Sequence, residues 1–251
     1  MGTRSPFDAR DVTSRRGGPV KQPLSRDAIV LEALRQLTAD GLKGMSLRKV
    51  AAALDTGAAS LYAYVDDLDA LYALVLDRAL ADVDTAVSAK AGWREGLTRV
   101  LESYARTLSS SPGLAQLAFG RIAIGPNAFR VTETLLALLA EGGVDLATAA
   151  WAVDLLVLYV TAIVAEHSGG TAPGPSDGTV SRAILGISEA QYPRIHAARE
   201  HMFSGKPEER FGWAIQALVR GILQSPRPAT STGHSTTLQT PPRSRPRKRS
   251  R

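Results

Sequence analysis

The chain has 251 residues, of which 44% are hydrophobic and only 6% aromatic, with a net charge of +6 and no cysteine. That length suits one small domain joined to a larger one. The missing cysteines exclude disulfides, thiolate zinc sites and thiol redox sensing. The charge is unevenly placed. Residues 1–24 carry five basic and two acidic side chains, and residues 226–251 carry seven basic and no acidic ones, so the stretch between them has a net charge of −4. Both ends mix Gly, Pro, Ser and Arg without apolar periodicity, and residues 1–23 and 226–251 are expected to be disordered basic segments. Such ends are either inert solvated tails or a source of salt-sensitive attraction to phosphate. The last eight residues resemble a nuclear-localisation cluster, a pattern that arises freely in basic tails. An N-terminal arm reaching a duplex fits better, because Lys21 and Arg26 lie just before the first helix. The N-terminus shows no apolar signal region, so a cytoplasmic and, from the Gly, Ala, Arg and Pro usage, bacterial protein is expected.

In chain order, Ser25 is placed to cap a helix that turns Ile29, Ala33, Leu34 and Leu37 inward and ends at Asp40-Gly41. Ser46 caps the next, with Met45 and Val50 as a hydrophobic staple and Leu47, Val50, Ala51 and Leu54 at helical spacing. Asp55-Thr56-Gly57 breaks the pattern, and Ala58 to Val65 resumes it, with Leu61 and Val65 inside and Ser60, Tyr62 and Tyr64 outside. Small Ala51 sits where a second helix must approach closely, as a helix-turn-helix requires. Asp67 can then cap a helix running through Leu71, Leu74, Val75 and Ala79 to about Asp84.

From Leu24 to Asp84 this arrangement resembles the N-terminal domain of the tetracycline-repressor (TetR) family. The sharpest part is Leu61-Tyr62-x-Tyr64-Val65 followed by Leu71, with the helix-turn-helix at 46–65. Two positions depart from the family pattern. Asp55 stands where glycine is usual, in a turn that needs positive φ and tolerates Asp better than most residues. Leu68 stands where a lysine is frequent, flanked by Asp66, Asp67 and Asp69, which could place three acids near a duplex. The resemblance implies that Ser46 and Arg48 face phosphate or base edges. It also implies that Ala58, Ala59 and Ser60 open the segment entering the major groove, with Tyr62 and Tyr64 as phosphate and base contacts. For Tyr62 a packing role is the bland alternative. Ala58 and Ala59 offer only apolar contact, for instance to a thymine methyl, so DNA shape would carry part of the specificity.

Residues 85–225 read as all helix. The expected elements are Trp93–Leu108, stopped by Ser111-Pro112-Gly113; Leu114–Ile124, broken by Gly125-Pro126; Phe129–Glu141; and Leu146–Glu166. Next come a flexible loop at 169–178, short helices within 181–203 and a closing helix Pro207–Leu223. Leu146–Ala165 is long enough to cross a bilayer, but Asp154 lies mid-helix and the acidic flanks Asp145 and Glu166 give no positive-inside signal. A soluble helix that is apolar on all sides is buried on all sides, here against its own domain and against a partner chain or ligand cavity.

Tyr192-Pro193, Phe211-Gly212, Leu218 and Gly221-Ile222 resemble the family's ligand-binding and dimerisation domain. The resemblance implies a homodimer through helices near 146–166 and 207–223, with Ala149, Ala150, Ala162 and Ala165 permitting close approach. Candidate ligand residues are Tyr104, Phe119, Arg121, Trp151, Asp154, Tyr159 and His167. Trp151 and Tyr159 read equally as core or interface residues, and a buried Asp154 would need a partner, a cationic ligand or a shifted pKa. Glu166-His167 diverge by about 100° on a helix, poor geometry for a metal.

There is no Gly-rich phosphate loop, GxSxG elbow or HExxH pattern, so no catalysis and no cofactor are expected. The fold expected is all-α, with a three-helix DNA-binding unit at 24–84 and a larger helical bundle at 85–225. The function expected is a homodimeric transcriptional regulator of double-stranded DNA that responds to a small-molecule effector, with repression implied by the family. The alternatives are a helical-bundle enzyme carrying a DNA module and a constitutive architectural DNA binder.

Overall fold

The computed structural model describes residues 5–10, 24–88, 92–168 and 177–228. The expectations for residues 11–23, for the loop at 169–176 and for the tail from 229 onward lie outside the described residues. Among the described residues the secondary structure is helical, without strands.

The first three helices are α1 (Arg26–Asp40), α2 (Leu47–Ala53) and the single turn α3 (Ala58–Leu61). The side chains of Ser25 and Ser46 accept the backbone N–H of Ala28 and Lys49, at 3.1 and 3.3 Å. Each satisfies a donor that a helix start leaves open. Met45 and Val50 are both buried, as the staple requires. The turn after α2 closes with two bonds, Thr56 N–H to the Ala51 carbonyl at 2.9 Å and Asp55 N–H to the Ala52 carbonyl at 3.0 Å. That pair of bonds is a Schellman motif, whose C′ residue must be left-handed. Asp55 occupies it at φ 50°.

Helix α4 (Leu68–Leu80) is capped by Asp67, whose carboxylate accepts Ala70 N–H at 2.7 Å. It ends earlier than Asp84, at the point where its last carbonyls turn toward Arg130. Nine of its thirteen residues are buried. One side packs on α1, the other on the larger bundle formed by α5 (Trp93–Ser109), α6 (Pro112–Phe119), α7 (Pro126–Glu141) and α8 (Leu146–Ser168). Pro112 and Pro126 were expected to break helices. Each instead opens one at its first position, where the missing N–H costs nothing and the fixed φ suits the helix.

Helix α8 buries Thr148, Ala152, Leu156, Val160 and Val164 against its own domain. Its other face leaves Leu146, Trp151, Leu155 and Leu158 exposed. It is long and apolar enough to cross a membrane, and 44% of that apolar window is buried inside the protein. Short helices α9 (Asp177–Leu185) and α10 (Pro193–Ala198) precede α11 (Pro207–Gln224), which packs on α8. Arg227 lies within the segment expected to be a free tail. Its N–H donates to Thr148 Oγ1 at 2.8 Å, and its guanidinium stacks over Trp151.

A left-handed Asp stores strain that glycine would not. Asp55→Gly should raise thermal stability, by roughly 0.5–1 kcal/mol, while Asp55→Val should lower it. Thermal melts of the two variants check the order Gly above Asp above Val.

Candidate nucleic-acid interface and ligand groove

The helix-turn-helix presents one solvent-facing surface. Arg48 and Lys49 project from α2 and are exposed, Ala59 and Ser60 are exposed at the start of α3, and Ala58 is half-buried. Tyr62, 53% exposed, stands out just past α3, which disfavours the packing alternative. Ser46 uses its hydroxyl to cap α2 and stays partly accessible beside the helix start.

Tyr64 does not join this surface. After one α-turn the chain tightens, and Tyr64 N–H bonds the Leu61 carbonyl three residues back at 2.8 Å. In such a turn residues three apart eclipse, so Tyr64 falls beneath buried Leu61. It is 8% exposed, and its hydroxyl donates to the Leu24 carbonyl at 2.8 Å. Tyr64, expected to face outward, instead ties the recognition segment to the start of α1.

The three acids expected near the duplex each accept a hydrogen bond within the protein. Asp67 caps α4, Asp66 accepts a bond from Arg10 at 2.6 Å, and Asp69 accepts one from Arg121 at 2.8 Å. Arg121, from the α6–α7 connection, also lies over the Tyr72 ring at 4.4 Å. It thus bridges α4 to the larger bundle, where a ligand-lining role was expected.

A second bridge is reciprocal. Asp77 on α4 is 5% exposed, and its carboxylate accepts Asn127 N–H and Ala128 N–H, both at 2.9 Å, and the Asn127 side-chain amide at 3.0 Å. It caps the start of α7, whose own N-cap residue is Gly125. A Cβ on Gly125 would stand 2.5 Å from that carboxyl, at φ +124°. In return, Arg130 on α7 donates to the carbonyls of Leu80, Ala81 and Val83 and to Thr85 Oγ1, at 2.6–3.3 Å. A carboxylate meets the positive helix end and a guanidinium the negative one. Neither residue stood out in the sequence. The available signal was a carboxylate in the apolar run LYALVLDRAL.

The seven candidate ligand residues do not converge on one cavity. Phe119 and Tyr159 do line a common open groove, with Gln116, Ala162, Ile163, Ala165 and Glu166. Burial raises the Tyr159 phenol above its ordinary pKa, against the pull of nearby Arg210. Tyr104 approaches α8 from the core side, sharing a 3.0 Å hydrogen bond with Thr161, and burial raises its phenol too. His167 is exposed and its Nδ1 pairs with the Ile163 carbonyl at 2.7 Å. Trp151 lies eight residues before Tyr159, roughly 12 Å along the helix axis. Asp154, expected to be a buried carboxylate, is exposed, because it shares the outer face of α8 with Trp151 and Leu158. Uniform apolarity along α8 concealed which face turned inward.

A helix-turn-helix packed, through α4 and α1, against an all-helical bundle with an aromatic groove defines a DNA-binding regulator class. Comparisons with known proteins agree. Residues 88–225 match the family described as Tetracyclin repressor-like, C-terminal domain. An HTH-type transcriptional regulator of Saccharopolyspora erythraea is 31% identical over 204 residues, covering 80% of this chain and 86% of the relative. The HTH-type transcriptional repressor DrrR1 of Streptomyces coeruleorubidus is 28% identical over 215 residues, covering 82% and 79%. Among solved structures, apo ActR from Streptomyces coelicolor superposes with a TM-score of 0.75 at 31% identity, covering 82% of this chain and 97% of ActR. ActR has also been solved in complex with actinorhodin. The chain belongs to the TetR family, and it is a transcriptional regulator.

The clamp between α4 and α7 generates a stability prediction. Asp77→Ala leaves the Asn127 and Ala128 N–H groups without their acceptor and should cost about 1–3 kcal/mol. Denaturant unfolding measures the loss, and an unchanged midpoint would show that the cap contributes nothing.

Proposed function

We propose that the chain is a homodimeric repressor that leaves a pseudo-palindromic operator when a small organic effector binds. Residues 24–84 would form the DNA-reading unit and residues 85–225 the effector-binding and dimerising one. The observation that carries the reading is the exposed face of Arg48, Ala59, Ser60 and Tyr62 on a unit tied to a separate helical bundle. In that bundle an apolar helix face stands uncovered. Support for repression comes from the Streptomyces coeruleorubidus relative, itself a repressor, and support for a small-molecule effector from ActR, which binds actinorhodin.

On DNA, Ser46 and the α2 start would hold phosphate, with Arg48 beside them, and Ala58, Ala59 and Ser60 would face the major groove. Tyr62 supplies the largest contact of this face. Few side chains here can read base edges, so the deformability of the operator would share the specificity. Two such units related by a two-fold axis would enter major grooves roughly 34–36 Å apart. The two-fold axis would run beside the outer faces of α8 and α11, which expose Leu155, Leu158, Trp213 and Leu223. The effector would occupy the groove of Phe119, Tyr159 and Glu166. It acts by preferring the conformation in which the spacing between the DNA units is wrong. The protein works by binding, in the cytoplasm, with no catalytic step.

Two measurements test this. Titration against a labelled duplex from just upstream of the coding region, with random competitor, should give saturable binding that Tyr62→Ala weakens about tenfold or more while the dimer persists. Normal binding by that variant would remove Tyr62 from the interface. Leu158→Glu should convert the dimer to monomer in sedimentation analysis, since a charge would be buried without a partner; a dimer that survives it would place the two-fold contact elsewhere.

A further inference from the structure

The N-terminal residues were expected to form a basic arm reaching the duplex, yet Ser5–Arg10 packs against the protein. The segment folds on itself: Asp8 N–H bonds the Ser5 carbonyl at 3.2 Å, Ser5 N–H bonds the Asp8 carboxylate at 3.1 Å, and Phe7 N–H bonds Ser5 Oγ at 3.3 Å. Arg26 at the start of α1 donates to the Asp8 carbonyl. Phe7 packs onto the hydrophobic core beside Gly125, where an added Cβ would stand 2.5 Å from both its ring and the Asp77 carboxyl. Phe7 therefore lies against the α4–α7 clamp. At the other end of the segment, the Arg10 side chain is 9% exposed. Its guanidinium donates to Asp66 at 2.6 Å and to the Ala63 carbonyl at 3.5 Å. Ala63 and Asp66 lie just beyond Tyr62, at the trailing end of the recognition segment.

We propose that residues 5–10 are a strap that fixes the recognition segment to the α4–α7 clamp, with Arg10 as a positioning residue that holds Asp66 and never touches DNA. The strap rests on the proposed DNA-reading role of 24–84. One short segment grips both moving parts of a regulator, so any shift at the clamp pulls on the end of the helix that reads DNA.

The strap and the arm differ in their salt dependence. A lysine or arginine on phosphate releases a condensed counterion, and its loss lowers the log–log salt slope by about 0.9. Full-length Arg10→Ala should bind duplex DNA about five- to tenfold more weakly, with the slope of the unsubstituted protein. Arg10→Asp should bind worse still, and adding Asp66→Arg should recover affinity, because the exchanged pair closes again. A reduced slope in Arg10→Ala, or an exchanged chain no tighter than Arg10→Asp, would overturn the strap. Amide hydrogen exchange without DNA keeps the strap separable from the DNA-reading role. Arg10→Ala should speed exchange at 58–66 and Phe7→Ala at 125–128, with the rest of the bundle unchanged. Unaltered exchange in both variants would also overturn it. Faster exchange in a protein that fails to bind any duplex would uphold the strap and count against the DNA-reading role alone.

Discussion

Helix α4 packs both on α1 and on the larger bundle within one continuous core, and it carries the directional contacts between them. Its apolar faces pack on α1 and on the bundle, but apolar packing is non-directional and would tolerate sliding. Direction comes from Asp77 and Arg130, each capping the other's helix. Buried helix ends need partners, so the register of α4 against α7 is set to within hydrogen-bond distance. Arg121, on Asp69 and Tyr72, adds a second fixed point near the other end of α4. The DNA unit is therefore held at a defined angle to the bundle.

That constraint makes regulation a matter of energy difference. An effector in the proposed groove between α6 and α8 would sit on the element preceding the Arg121 connection. It can change DNA affinity only by as much as it favours one α4–α7 arrangement over another. The clamp gives such a preference something discrete to act on, since capped helix ends are either engaged or not. Strain at Asp55 is local to the turn and sits apart from this route.

Features decided within a few residues were legible in the sequence. The caps Ser25, Ser46 and Asp67 and the positive φ at Asp55 each depend on neighbours three or fewer positions away, and all stand as the sequence indicated. Features that depend on partners distant in the chain were not. Asp77 and Arg130 cap backbone about fifty residues away, which a sequence without its fold does not juxtapose. Pro112 and Pro126 looked like breaks because a proline that opens a helix and one that stops it differ only in whether the residues after it turn helical. Tyr64 and Asp154 were each assigned the wrong face, one because α3 tightens after a single turn, the other because α8 is apolar all round. The candidate ligand residues were only partly placed together. Phe119 and Tyr159 share one open groove, whereas Tyr104, Arg121 and Trp151 serve packing and bridging contacts.

The absence of native cysteine makes one measurement direct. A spin label on Lys43→Cys, exposed on the DNA unit, reports the distance between the two units of a dimer. One narrow distance is expected in the otherwise unaltered chain. With Asp77→Ala and Arg130→Ala together, the distribution should broaden while helix content and the dimer persist. An equally narrow distribution in that double variant would contradict the claim that the α4–α7 clamp sets the orientation of the DNA-reading unit.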